Sequence, residues 1–295
     1  MNTSVKFEID KKRIKRRISL NNASKYIFSL STVFALIVLA ILLYRIGIQS
    51  IGWLDWDFLT GNLSIFPEKA GIKGAIIGSV GLMIVVIPVT LILGVSTAIY
   101  LEEYAKKGKI QRFIQINISN LASVPSVIFG LLGLAVFGRF FNLGSSILAG
   151  GLTLSLLVLP VVVVASQEAL KAVPGFLREA SYAMGANRWT TIRKVVIPVA
   201  LPGILTGTIL AISRAIGETA PLVVLGIPTL ILRVPSSIMD DFTALPIQVY
   251  YWTLDTVLTA EYANLAAATI IVLLLTLFAM NSLAIIIRNK FQRNF

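Results

Sequence analysis

Apolar residues fall into six runs of membrane length, Tyr26–Ile48, Gly74–Leu101, Phe113–Phe137, Ser145–Val164, Gly203–Leu225 and Tyr262–Ile287, separated by polar segments of uneven length. A helix rises about 1.5 Å per residue, so about 20 apolar residues cross a hydrocarbon core about 30 Å thick. The pattern predicts an all-α polytopic membrane protein with six transmembrane helices. Pro88, Pro125 and Pro160 lie inside the second, third and fourth runs and predict kinks, which neighbouring helices can re-satisfy. The first run follows a basic tail, residues 1–25, and has no small-residue cleavage site, so it reads as a retained span, 26–48, rather than a signal peptide. The tail itself reads as a poorly ordered or interfacial segment.

The fifth run is interrupted by charge. Ser213, Arg214, Glu218 and Thr219 sit within Pro202–Leu225. If a helix starts at Gly203, Arg214 lies roughly 16 Å along it, close to mid-membrane. Spacing of four puts Glu218 on the same face, one turn further out. An ionisable residue at that depth costs several kcal/mol, the low estimate being about 2.5, and so faces a protein interior or an aqueous path. Two readings follow: a pathway for a charged solute, or an interhelical salt bridge that holds the bundle together.

Composition narrows the chemistry. The chain is 56% hydrophobic and 14% charged, against about 25% charged for a soluble domain. It has no cysteine and no histidine, which removes thiolate chemistry, the usual general base and the commonest metal ligand. An intramembrane enzyme has few actors here, and no cofactor or metal site is expected. The net charge of +12 is explained by topology. With the amino terminus inside, 20 of the 26 lysines and arginines fall in inner regions, among them Lys6, Lys107, Lys109, Arg112, Arg193 and Arg293. Outer loops keep Lys69, Lys73, Arg139 and Arg233, and Arg45 and Arg214 lie within spans. This bias places both termini in the cytoplasm, at a membrane whose anionic headgroups attract the basic loops. No basic–aromatic module calls for nucleic acid. The last outer loop, 227–261, sets Arg233 against Asp240, Asp241, Asp255 and Glu261, a face that repels free anions and suits delivery by a docked carrier. Gly74, Gly78, Gly130 and Gly133 are small positions that permit close helix contact.

The segment 167–201 between the fourth and fifth runs predicts two short helices. Pro174 suits a first turn, and Phe176, Leu177, Ala180, Ala183 and Met184 form an apolar face at helical spacing. Gly185 suits a C-terminal cap, Asn187 caps a second helix, and Pro198 ends it. A rigid cytoplasmic knob and an amphipathic helix lying on lipid both fit this pattern.

Glu179-Ala180-Ser181, then Gly185, then Val195-Val196-Ile197-Pro198 resembles the EAA motif of ABC importer permeases, from which Ser181, Val195 and Ile197 depart conservatively. Arg214-Ala-Ile-Gly217-Glu218-Thr219-Ala220-Pro221-Leu222 and Val124-Pro125-Ser126-Val127-Ile-Phe129-Gly130 resemble stretches of phosphate-import permeases of the PstA type, as do Ala244–Tyr250 and Met280–Asn289. The sister, PstC-type permease tends to read Gly-Glu-Thr-Met where this chain has Gly217-Glu218-Thr219-Ala220. The resemblance implies a type I ABC importer permease fold with a permease domain over 74–287. It implies a coupling helix, carried by Glu179, Ala180, Gly185, Arg188 and Pro198, that docks on a cytoplasmic ATPase and favours the knob over the lipid-lying helix. It further implies a sister permease, two ATPase copies and an extracytoplasmic phosphate-binding protein of the PstS type. No Gly-x-x-x-x-Gly-Lys-Ser/Thr loop is present, so the chain itself cradles no nucleotide. Arg214 would pair with phosphate through its fork of donors, Glu218 would orient Arg214 or accept from a protonated phosphate oxygen, and Ser213 and Thr219 would add neutral hydrogen bonds. The competing readings are the sister permease, a permease for molybdate, sulfate or phosphonate, and a sensor that moves nothing.

Overall fold

A computed structural model describes residues 11–106, 108–231 and 233–291. The topology assignments of Lys6, Lys107 and Arg293, and the first ten residues of the tail, lie outside these. The chain divides after Gln49 into two units.

The first unit is one helix, α1 (Lys11–Ser50). The predicted poorly ordered tail is helical from Lys11 onward, because lysine and arginine are good helix formers and continue the apolar helix beyond it. The helix that is apolar enough to span a membrane runs over Lys15–Ser50 and contains 26–48. Within it Ser24, Ser31 and Thr32 donate to the carbonyls four residues back at 2.9, 2.9 and 3.0 Å, so these hydroxyls are satisfied without a partner from another element.

The second unit begins with a short helix α2 (Trp56–Thr60), capped by Asp55 accepting from the Phe58 amide at 2.7 Å. α3 (Lys73–Ile99) runs unbroken through Pro88 and widens into a π-helical turn at Tyr100–Tyr104. The third apolar run is not one straight span. It forms α4 (Lys109–Leu121) and α5 (Ser126–Gly133, extended by a π-helical turn to Phe140), bent by 101°. The residue before a proline is disfavoured in the α region, so the helix stops ahead of Val124-Pro125. α6 (Ile147–Lys171) is capped by Ser146, whose hydroxyl accepts from the Ala149 amide at 3.2 Å, and is continuous through Pro160. Then follow α7 (Gly175–Ala183), α8 (Arg188–Thr191), α9 (Ile197–Gly217, joined to α8 by a π-helical turn), α10 (Ala220–Leu225), α11 (Leu245–Asp255) and α12 (Glu261–Phe291). Among the described residues five helices are long and apolar enough to cross a membrane, or six if the bent α4–α5 pair counts as one.

α6 lies at the centre, packed by α3 on one side and α9 on another, with α5 and α10 closing the bundle and α12 resting on α9 and α11. Small residues set these spacings. A Cβ on Gly94 would meet Val162 at 2.7 Å, one on Gly130 would meet the Pro221 backbone at 2.8 Å, and ones on Gly78 and Gly133 would run into Thr243 and Thr153. Gly74 has open space around it and is no contact point, unlike the other three predicted positions. The loop between α10 and α11 is tied back to the bundle: the carbonyls of Ile238 and Asp240 accept from the Leu148 and Ile147 amides at 2.8 and 3.2 Å, which satisfies free N–H groups at the start of α6.

Candidate functional site

The helix carrying Arg214 begins much earlier than Gly203. Arg188–Gly217 forms one candidate span of 30 residues, and Arg214 lies in its last turn. Within this helix Arg214 therefore marks the end rather than the middle. The position is special for a different reason: the helix breaks there. Glu218 leaves helical geometry (φ −76°, ψ 122°), Thr219 follows at φ −104°, and α10 restarts with Pro221 in its first turn, where the missing N–H costs nothing. The last carbonyls of α9 thus lack intrahelical partners. At membrane depth such irregular backbone is tolerated where it is buried in protein or lines a water-filled cavity.

Glu218 is not one turn further along the same helix, yet it still meets Arg214, with Nε and Oε1 3.2 Å apart. The Arg214 side chain is half exposed and that of Glu218 mostly covered, at 50% and 18%. The pair joins neighbouring turns of one segment, so it does not tie one helix of this chain to another. Ser213 Oγ lies 2.7 Å from both the Ile209 carbonyl and Asn281 Oδ1 on α12, and its single proton is shared between these. Ser213 is thus committed to holding α9 against α12, while Thr219 is half-buried at the break. Asn281 stands within the last apolar run, but only the fold brings it to Ser213.

The two breaks meet. α5, which starts just after Val124-Pro125, packs against α10, which starts at Gly217-Glu218-Thr219. Gly130 faces Pro221 at the crossing. Sequence stretches some 90 residues apart therefore build one element pair beside Arg214.

On the other side of the chain, segment 167–201 resolves differently from its predicted limits: 167–171 belongs to α6 and 197–201 to α9. α7 ends at Met184, and Gly185 takes φ +80°, a left-handed conformation that a side chain would strain. Asn187 caps α8 by accepting from the Thr190 amide at 2.8 Å. Ser181 and Thr191 hydroxyls, 2.9 Å apart, link the two helices. Arg188 lies over the Tyr104 ring at 5.1 Å. Leu177 packs inward, whereas Phe176, Met184 and Trp189 stay exposed, as do Glu179 and Ala180. Pro198 does not end the second helix; it sits in the first turn of α9.

Sequence reasoning missed what anchors this knob. Arg178 Nη2 donates to Glu103 Oε1 at 2.8 Å and to the Leu170 carbonyl at 2.9 Å, and Nη1 donates to the Val173 carbonyl at 2.7 Å. The Glu103 side chain is 7% exposed and that of Arg178 22%. One guanidinium thereby joins the end of α3, the end of α6 and α7. The only signal was an acidic pair, Glu102-Glu103, closing an apolar run.

Residues 90–292 match the family described as the binding-protein-dependent transport system inner membrane component. The chain belongs to that family. The permease is 38% identical over 221 residues to the phosphate transport system permease protein PstA 1 of Mycobacterium tuberculosis, a match covering 72% of this chain and 70% of that one. It is 35% identical over 192 residues to the probable ABC transporter permease protein YqgI of Bacillus subtilis, 65% of either chain, so the match spans just under two thirds of that relative. The inward-facing methionine ABC transporter MetNI superposes with a TM-score of 0.59 at 17% identity, over 75% of this chain and 96% of that one. That likeness is one of fold, the type I ABC importer permease fold. The chain is accordingly a multi-pass membrane subunit of an ABC importer and a transport component, not an enzyme. Subunits of this kind work with an ATPase and a substrate-binding partner.

Proposed function

We propose that this permease carries inorganic phosphate inward, forming half of a translocation path with a sister permease of the PstC type and receiving phosphate from a binding protein of the PstS type. The observation that carries the reading is the half-exposed Arg214, paired with Glu218 alone among the described residues, at the point where a membrane helix breaks. Phosphate bears between about one and two negative charges near neutral pH and offers several acceptor oxygens. A guanidinium presents a planar fork of donors that matches it. Glu218 holds Arg214 oriented when the path is empty and accepts from a protonated oxygen when phosphate arrives, which disfavours fully ionised sulfate. The half-helix starting at Thr219 and the freed carbonyls of α9 give a place where access can alternate between sides. The similarity to a phosphate transport system permease over 72% of the chain supports the choice of cargo and of the PstA-type role.

Coupling runs through the exposed knob of α7 and α8, with Glu179, Ala180, Gly185 and Arg188 seated on a PstB-type ATPase, two copies serving the permease pair. Its anchoring by Arg178 to α3 and α6 lets a push on α7 reach the bundle as a rigid displacement. Both termini then lie in the cytoplasm, as the positive-inside bias requires.

The test is uptake of labelled phosphate at low external concentration, in cells with and without this chain, with sulfate and molybdate as competitors. A high-affinity component that disappears with the chain and ignores both competitors is expected. Displacement by molybdate or sulfate would reassign the cargo and leave the importer. Arg214→Gln should abolish uptake while the complex still assembles; loss of assembly would return Arg214 to a structural role.

A further inference from the structure

A cavity of about 750 Å³ opens at the start of α4, far from the Arg214 break in sequence, and three cations, Lys109, Arg112 and Lys171, line it against one carboxylate, Glu102. Its floor is fixed. Gln167, 1% exposed, donates to Glu102 Oε1 at 3.0 Å and to Gln115 Oε1 at 2.8 Å, and Gln115 donates back to Gln167 at 3.0 Å. Lys171 is engaged by Glu168 at 2.9 Å and Glu102 at 3.6 Å. Lys109 and Arg112 have no carboxylate within ion-pair distance among the described residues. They stand three apart on one helical face, where like charges repel. Two unneutralised cations held over a rigid polar floor make a place for an anion.

The neighbouring face of α4 says which anion. Ile110, Phe113 and Ile116 are 78%, 69% and 51% exposed, an apolar stripe running alongside the basic one. α4 turns through 101° before α5, so a steeply entering α5 lays α4 along the membrane surface. A soluble anion has no use for the stripe, whereas an acyl chain does. We propose that α4 and this cavity bind one anionic phospholipid, its phosphate held by Lys109, Arg112 and Lys171 and its chains laid on Ile110, Phe113 and Ile116. Because α4 leads directly into α5, and α5 meets α10 at Gly130, an occupied site fixes the bend that positions one wall of the α5–α10 pair.

The experiment uses the detergent-solubilised assembly that carries this chain, exposed to equal amounts of phosphatidylglycerol and phosphatidylcholine, with retained lipid counted by native mass spectrometry. The readout is lipid rather than uptake, so it is independent of the cargo proposed above. Wild type should retain phosphatidylglycerol over phosphatidylcholine by about thirtyfold or more, as expected for two to three basic residues at an anionic headgroup. Lys109→Gln with Arg112→Gln should bring that ratio to about one, whereas Lys109→Arg with Arg112→Lys should keep it, which separates lost charge from lost fold. Ile110→Ser with Phe113→Ser should lower the retained lipid of both kinds. The proposal is overturned if wild type shows no preference or if the charge-removing pair keeps it. It is equally overturned if millimolar inorganic phosphate strips the lipid, which would make the cavity a soluble-anion site.

Discussion

Replacing Arg178 and Glu103 singly and together by methionine tests whether the knob is held by their ion pair. Both side chains are largely buried, at 22% and 7% exposed, so little solvent screening discounts the pair. Arg178→Met leaves Glu103 without its cation and also strands the Leu170 and Val173 carbonyls. Breaking a buried pair from one side costs about 3–5 kcal/mol. Glu103→Met leaves Arg178 with those two carbonyls and a fifth of its surface in water, so the cost falls at or just below that range, about 2–3 kcal/mol. The double variant buries no charge; it loses two carbonyl hydrogen bonds, about 1 kcal/mol each. The double should therefore cost about 2 kcal/mol where independent effects would sum to about 5 or more. The assay is unfolding of the solubilised transporter by rising dodecyl sulfate, with hydrogen exchange over 172–187 as the local readout. Both single variants should exchange faster there and hydrolyse ATP with little uptake. Additivity of the single effects to within about 0.5 kcal/mol would refute the argument, because coupled partners cannot add.

Three further outcomes follow from particular contacts. Gly130→Ala places a Cβ 2.8 Å from the Pro221 backbone, which cannot rotate away, and should cost about 1–3 kcal/mol and slow uptake; unchanged uptake and stability would mean that α5 and α10 separate freely. Gly185→Val forces a β-branched residue to φ +80° and should lower ATPase co-purification without changing the amount of chain in the membrane; equal ATPase recovery would refute a docking role for that turn. Asp240 accepts from the Ser236 amide and hydroxyl and the Ser237 amide, and these bonds hold its carboxyl below the ordinary value of 3.8. A depressed carboxylate stabilises its loop above the unfolded value and loses that contribution as pH falls through the folded one. Exchange over 234–241 should therefore stay slow at neutral pH and quicken only in acid below about pH 4, and Asp240→Asn should be fast at both; a transition near neutrality would contradict this.

Length and hydropathy were enough to determine that the chain is helical, membrane-bound and threaded several times, because a bilayer admits nothing else for apolar runs of 20 residues. The charge distribution predicted a topology, and the EAA-like and Gly-Glu-Thr-Ala-Pro stretches pointed to the permease family, since short motifs at fixed spacing survive without knowledge of the fold. Caps at Asn187 and Gly185 were readable, being local. What the tertiary structure decided was where helices bend and which distant residues meet. Pro88 and Pro160 lie inside continuous helices whereas Val124-Pro125 breaks one by 101°, because a proline is tolerated or not according to what its neighbours supply. Arg214 looked central by counting from Gly203, but the helix begins at Arg188 and the arginine marks its end. The meeting of Gly130 with Pro221, of Ser213 with Asn281 and of Glu103 with Arg178 spans 68 to 91 residues of chain. No periodicity records such pairings; they exist only once α3, α5, α9 and α12 have packed around α6.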